Sequence, residues 1–481
     1  MLEVKETLIL HVENERKRIR KYFSHFFRFR EIIQLNHPIP MAQKSLIKGF
    51  SKLSNKEKLK VAGELFDEPE KAVQTMQSFH HPDPMVQKAL SELSENTLTN
   101  YPLPFNVAPN FMINGRHYMI PMVIEESSVV AAASSAARFW ADRGGFMARV
   151  IDSKKVGQVH FLFKGDHRKL LRVFPEIETF LRERLVPFTK NMEKRGGGIL
   201  GMELRSKTRE IDNFFQLHLT FETVDAMGAN FINSVLEECA RGLNDYFGQT
   251  YGFSPFDYEP LMSILSNHTP ECLVEVKVAC AAEDLANMAP GVAAEDFVRR
   301  FVLAVRIAEN DIHRAATHNK GIMNGVDAVI LATGNDFRAI EAGAHAYAAK
   351  DGGYTSLSHA RLENGQFEFY LTMPMALGTT GGLTRLHPLA ALSLEMLGNP
   401  GAKELMMIAG AAGLANNFAA IRSLTTTGIQ AGHMRMHLPN ILSQLGATPA
   451  ERDKTAVYFS KRIISFREVE AFLKTIRDQD G

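Results

Sequence analysis

Hydrophobic and polar positions alternate along this chain with two different periods, and the changes of period mark its elements. In LSNKEKLKVAGELF, Ser54 followed by Glu57 is a capping box that opens an amphipathic helix. Between 79 and 108 the proline-rich HHPDP and YPLPFNVAP read as loops. HYMIPMVI, rich in β-branched and aromatic residues, predicts a strand running into EESSVVAAASSAARFWADRGG. The Ala/Ser spacing and terminal glycines of that second stretch describe a helix that lets its neighbours approach closely.

After Gly145 the texture changes. VGQVHFLFKGD predicts a strand, HRKLLRVFPEIETFLRERLVPFTKNMEKR one or two amphipathic helices, and MELRSK and FFQLHLTFETV two strands. ANFINSVLEECARGLNDYF is a helix with Phe231, Val235, Cys239 and Leu243 on one face. Beyond LVEVKVAC the Ala/Gly/Met-rich helices return. Near the C-terminus two more capping boxes appear, Thr448 to Glu451 with Pro449 at the first helical position, and Ser465 to Glu468. The fold class expected is α+β: a large, mainly helical domain over 47–147 and 263–429, interrupted by a compact α+β unit over 148–262. A helical piece over 430–481 closes the chain, and a basic-aromatic extension over 1–46 precedes it.

Composition narrows the function classes. A formal net charge of +1, with 45% hydrophobic and 23% charged residues, gives no electrostatic reason to expect nucleic acid or an anionic membrane as partner. The extension's KRIRKYFSHFFRFR could touch RNA or lipid, but the neutral whole favours a solvated helix or an upstream extension outside the functional domain. Three cysteines are too few for a disulfide framework and lie in no metal-binding cluster, so no metal is expected. MLEVKETLIL carries acids early and has no small-residue cleavage site, which predicts a cytoplasmic chain without a signal peptide. VVAAASSAARFWA and LMMIAGAAGLANNFAAI are too short or too polar for membrane spans and read as packed core helices.

Several short motifs carry chemistry. RGGGILG fits GxGxxG through Gly196, Gly198 and Gly201, but a charged helix precedes it and a strand follows, the reverse of a dinucleotide turn; it reads as a flexible turn. DAMGAN, residues 225–230, joins a strand to a helix N-terminus, where free amides suit either a pyrophosphate or a plain Asp cap. Glu125 and Glu126 stand at another strand-to-helix junction, and Asp336 closes GND, which is also a common turn. His433 and His437 have the spacing of a metal pair without a third ligand. Lys320, in THNKGIMNG, lies among glycines and asparagines that a merely solvated lysine does not need.

Taken in order, FNVAPNFMINGRHYMIPMVIEESSVVAAAS, DAMGAN, ILSN, RAATHNKGIMNGVDAVILATGND, AIEAGAHAYA, TGGLTRLHPLA and GIQAGHM resemble the hydroxymethylglutaryl-CoA reductases of class II, the soluble bacterial and archaeal type. The likeness runs from about residue 47 to the C-terminus. It implies reduction of HMG-CoA through mevaldehyde to mevalonate, with release of CoA, by two hydride transfers. Lys320 would stabilise the oxyanion, Glu126 would donate protons with Asp336 beside it in one coupled cluster, and His433 would protonate the departing thiolate. Arg314 would clamp the substrate carboxylate, with Ser128, Asn267, Asn324, Asn416 and His437 as further contacts; Asn416 stands where members often carry Gln.

The inserted unit corresponds to the family's ferredoxin-like small domain, with Asp225, Met227, Gly228 and Asn230 at the dinucleotide. Asp166 falls where an acid bonds the adenosine ribose and repels a 2′-phosphate, which predicts NADH in preference to NADPH, although Arg168 and Lys169 follow closely. The family also implies a homodimer, or a multiple of dimers, with shared active sites, and a C-terminal flap carrying His433. A lysine forming a Schiff base with a carbonyl substrate is the alternative enzyme class.

Overall fold

The computed structural model describes residues 47–288, 291–426, 438–439, 441–462 and 464–480. His433 and His437 lie outside them.

Two compact units divide at Pro102. The first holds helices α1 (Asn55–Gly63), α2 (Pro69–Ser78) and α3 (Pro84–Ser91). The expected capping box opens α1, with the Ser54 amide donating to Glu57 Oε2 at 2.8 Å. Asp83 caps α3 by accepting from the Met85 amide.

The second unit begins with a hairpin, β1 (Phe105–Ile113) and β2 (Arg116–Val123), turned by Asn114 and Gly115, both at positive φ. Then come α4 (Ser127–Ala141), β3 (Met147–Val150) and the small unit: β4 (Lys155–Phe163), α5 (His167–Glu193), β5 (Gly198–Ser206), β6 (Phe214–Glu222), α6 (Ala229–Gln249) and β7 (Tyr258–Ser266). Its four antiparallel strands lie in the order β5-β6-β4-β7, a split βαβ arrangement. Phe161, Phe163, Phe215, Leu217, Ile177, Leu181, Val235 and Cys239 fill a core between the sheet and its two helices. The stretch read as one or two helices is one, and α5 runs through Pro175 and Pro187. RGGGILG is a turn at Gly196 followed by strand β5.

The chain continues through β8 (Leu273–Ala281), α7 (Ala294–Asn310), α8 (Ile312–Ala332), α9 (Phe337–Ala348), β9 (Ser358–Glu363), β10 (Gln366–Pro374), α10 (Leu383–Leu386), α11 (Pro388–Met396) and α12 (Ala402–Thr425). A four-stranded antiparallel sheet, β3-β8-β10-β9, backs these helices. Its β9–β10 hairpin, turned at Asn364-Gly365, is absent from the sequence reading. Trp140, Phe301, Phe367, Phe369 and Phe418 pack at the centre of the larger core. The apolar helix α12 is a core helix: its most apolar window is 83% buried inside the fold. Gly410 sits so close to Val276, and Gly413 to Val326, that a Cβ on either glycine would overlap the valine side chain. Helices α13 (Pro449–Tyr458) and α14 (Phe466–Asp480) enclose a third small core with Leu442, Phe459, Val469 and Leu473.

Candidate active site

A cleft of about 510 Å³ is walled by α4, α8 and α12. Glu126 is the residue before α4 and does not spend its side chain on capping that helix. Ser128 Oγ donates to Glu126 Oε1 at 2.5 Å, and Lys320 Nζ lies 3.8 Å from Glu126 Oε2. Lys320 itself is exposed along the cleft wall, with a side-chain accessibility of 66%. Arg314, Asn324 and Asn416 line the same space. The structure thus brings together Glu126, Ser128, Arg314, Lys320, Asn324 and Asn416. Burial lowers the pKa of the Arg314 guanidinium, and the structure gives it no carboxylate partner among the described residues.

The glycines around Lys320 have a different purpose from the one expected. THNKGIMNG is the middle of α8, and a Cβ on Gly325 would collide with the Ala412 carbonyl of α12. That glycine lets two helices touch backbone to backbone. Asn319 points away from the cleft into the core, donating to the Thr355 carbonyl at 2.9 Å and accepting from the Leu357 amide at 3.0 Å.

Asp336 does not join Lys320 within one chain. It caps α9 through the Arg338 and Ala339 amides and pairs with the Arg338 guanidinium at 3.1 Å. Partial burial would raise its pKa, but Arg338 and the amide donors outweigh that and hold it below the usual range. The separation follows from helix geometry, because Lys320 and Ala332 are a rise of about 18 Å apart along α8. Asp336 belongs with a second group. Its neighbour Asn335 accepts from the Gly378 amide at 3.0 Å, and Gly378 packs so closely on Met227 that a Cβ there would collide with the Met227 nitrogen. The Asp225 carbonyl accepts from the Thr379 amide at 2.8 Å, and its Oδ1 accepts from the Ala402 amide at 2.8 Å, capping α12. Asn267 lies here too, lining a narrow cleft with Lys155 and Met227, and not in the cleft of Lys320.

The residues of this second group suit a dinucleotide. Gly228 is left-handed, at φ 92°, and precedes α6 without a side-chain cap, so the first-turn amides of that helix are left for an anion. Asp166 caps α5 with Oδ1 alone, through the Arg168 and Lys169 amides. The Lys169 and Arg168 amides, against a small opposing effect of burial, hold Asp166 below the usual carboxylate range, so it is an anion at neutral pH.

The acid that is raised is one the sequence reading passed over. Burial and the adjacent Glu341 push Asp327 up to about 8, and its Oδ1 is buried without a hydrogen-bond partner. It stands on the α8 face that carries Lys320 and Asn324. Its folded pKa exceeds an unfolded value of about 3.9, so the folded chain holds the extra proton. The stability this contributes is full below about pH 4 and is lost as pH rises toward 8. Between pH 5 and 8 the wild-type melting temperature should fall more steeply than that of Asp327→Asn; parallel declines would refute this.

Arg422 was also missed. It lines the cleft at the end of α12, and burial lowers its pKa. The only signal was a single cation after a long uncharged run, GLANNFAAIR.

A family model for hydroxymethylglutaryl-coenzyme A reductase matches residues 55–438. The 3-hydroxy-3-methylglutaryl-coenzyme A reductase of Archaeoglobus fulgidus is 39% identical over 421 residues, 86% of this chain and 91% of that protein. A probable reductase of the same kind from Borreliella burgdorferi is 33% identical, over 81% of this chain and 87% of its own length. A solved reductase from Streptococcus pneumoniae aligns with a TM-score of 0.65 and 34% identity, covering 89% of this chain and 99% of that one. Another structure from that organism, a class II enzyme bound to NADPH in open conformations, gives 0.64 and 36% over 79% of this chain and 99% of its own. With the family match extending over both the cleft of Lys320 and the loop of Asp225, the chain belongs to the hydroxymethylglutaryl-coenzyme A reductase family, close to its class II members.

Proposed function

We propose that this chain interconverts HMG-CoA and mevalonate plus CoA through mevaldehyde, as a homodimer in which the acyl cleft of one copy meets the dinucleotide group of the other. The observation that carries the reading is the cleft itself, where an ammonium, a carboxylate bonded to a serine, and a half-buried guanidinium with no carboxylate partner among the described residues converge. Arg314 takes the substrate carboxylate. Lys320 faces the carbonyl oxygen, whose charge grows as hydride adds, so its attraction is greater in the transition state than in the ground state. Glu126, oriented by Ser128, returns a proton to that oxygen. His433 gives one to the CoA sulfur as the thiohemiacetal collapses, and Asn324, Asn416 and His437 are further polar contacts. The dinucleotide supplies hydride when bound, held by Asp225, Met227, Gly228 and Asn230 of a ferredoxin-like small domain over 148–262. A flap over 430–481 brings His433.

Shared sites are supported by helix lengths. Ala402, bonded to Asp225, and Asn416, in the cleft, are separated by a rise of about 21 Å along α12. Lys320, in the middle of α8, and Asp336, beyond its C-terminal end, are similarly held apart. One chain therefore offers two half-sites, and a twofold partner would supply each with its complement, Asn267 and Asp336 arriving with the dinucleotide half. Asp166, with one carboxylate oxygen uncommitted, favours NADH over NADPH.

The test is purified protein with HMG-CoA and either dinucleotide, following absorbance loss and free thiol together. Two dinucleotides consumed per thiol released is expected, with kcat/KM higher for NADH and the difference erased in Asp166→Ala. No thiol release would sink the reductase reading. A wild-type preference for NADPH, unaltered in the variant, would sink the role of Asp166 alone.

A further inference from the structure

Lys155 opens strand β4 and is 5% exposed, an unusual place for a lysine. Its ammonium donates to Thr223 Oγ1 at 2.5 Å, to the Ala226 carbonyl at 2.8 Å and to the Leu377 carbonyl at 3.5 Å. A lysine has three donors, and each has found an acceptor. No ion pair within 4.0 Å accounts for its burial among the described residues, which sets it apart from the ion-paired surface lysines such as Lys154 and Lys164. The three acceptors belong to separate pieces of chain. Thr223 directly follows β6, Ala226 lies inside DAMGAN next to Met227, and Leu377 precedes Gly378, whose amide holds Asn335 beside Asp336.

We propose that Lys155 is a positioning residue that locks the dinucleotide loop to the segment carrying Asp336, so that the reduced ring and that acid are presented to the acyl group together. This rests on the reductase reading given above. Removing the ammonium leaves the Ala226 carbonyl with one donor fewer and frees the loop from Leu377. Burying the charge costs desolvation, and three acceptors arranged around one nitrogen are what make it tolerable. A strand needing only packing at this position would carry an aliphatic residue. A pin between two loops must donate several bonds from one point.

The test uses the full chain and Lys155→Met, which keeps the length of the side chain and removes its donors. Loss of a charge-assisted bond to the loop predicts a rise of about tenfold in the KM for the dinucleotide. The KM for HMG-CoA should stay within about twofold, since the cleft of Lys320 is walled by other elements. The kinetic isotope effect with dinucleotide deuterated at the transferred position should grow, because a misplaced ring slows the hydride step; lowered stability alone would not do this. If Lys155→Met does not fold, Thr223→Val removes one acceptor and should raise the dinucleotide KM in the same selective way. A folded variant with unchanged dinucleotide KM and isotope effect overturns the proposal while leaving the reductase reading intact. A wild type inactive on HMG-CoA overturns both.

Discussion

Two inactive variants of this chain, Lys320→Met and Asp336→Asn, should recover about a quarter of the wild-type rate when their subunits are mixed and exchanged. Each alone is expected to lose on the order of 10² to 10³ in kcat, the usual cost of removing a group aimed at developing charge. In a random mixture half of the dimers pair one subunit of each kind. Such a dimer has one site with both defects and one with neither, so half of its sites work. The physical basis is the distance fixed by α8: Lys320 reaches Glu126 from the middle of that helix, while Asp336, beyond its C-terminal end, is tied to Arg338 and, through Asn335, to the loop at Gly378. Were the two groups partners within one subunit, every mixed dimer would consist of dead sites. Activity of the exchanged sample no higher than that of its parents would exclude sharing.

The two glycines that follow Lys320 should respond oppositely to the same substitution. At Gly325 a Cβ would strike the Ala412 carbonyl and crowd the Asn416 amide at 2.7 Å. Backbone atoms cannot rotate aside, so α8 and α12 must separate; overpacking of this kind costs about 1–3 kcal/mol. Gly325→Ala should therefore lower the melting temperature by several degrees and, by shifting Asn416, weaken HMG-CoA binding. At Gly321 the nearest atom to a Cβ is the Asn417 amide nitrogen at 3.9 Å, an ordinary contact. There alanine relieves the entropic cost of glycine inside a helix, about 1 kcal/mol, so Gly321→Ala should melt at or above the wild-type temperature. Equal melting temperatures for the two variants would show that the helices are not in backbone contact at Gly325.

These residues also show how far a sequence can be read. Six of the side chains that line the cleft of Lys320 lie in motifs singled out from the sequence, whereas Arg422, which lines it too, does not. The role of the glycines was not legible. Gly325 in a string of letters looks like freedom around a lysine, whereas its neighbour is a helix more than eighty residues later. That Asp336 stands apart from Lys320 within one chain was not legible either, because the sixteen positions that separate them include twelve wound into α8. Among the elements, strands β4 to β6 and their helices followed from alternation and amphipathic spacing, whereas β7 was overlooked. The β9–β10 hairpin was overlooked despite its Asn-Gly turn, since the Ala/Gly-rich helices on either side dominate that region. Lys155 left no trace at all, as a lysine beside another lysine at a strand start reads as solvated.

The bond from the Ala402 amide to Asp225 complicates the obvious genetics of the loop. An alanine at Asp225 would remove a cap from the first turn of α12 as well as disturb any nucleotide nearby, and that helix also shapes the distant acyl pocket. Loss of turnover there would mix two defects, whereas Asn230, in the first turn of α6, offers a cleaner probe.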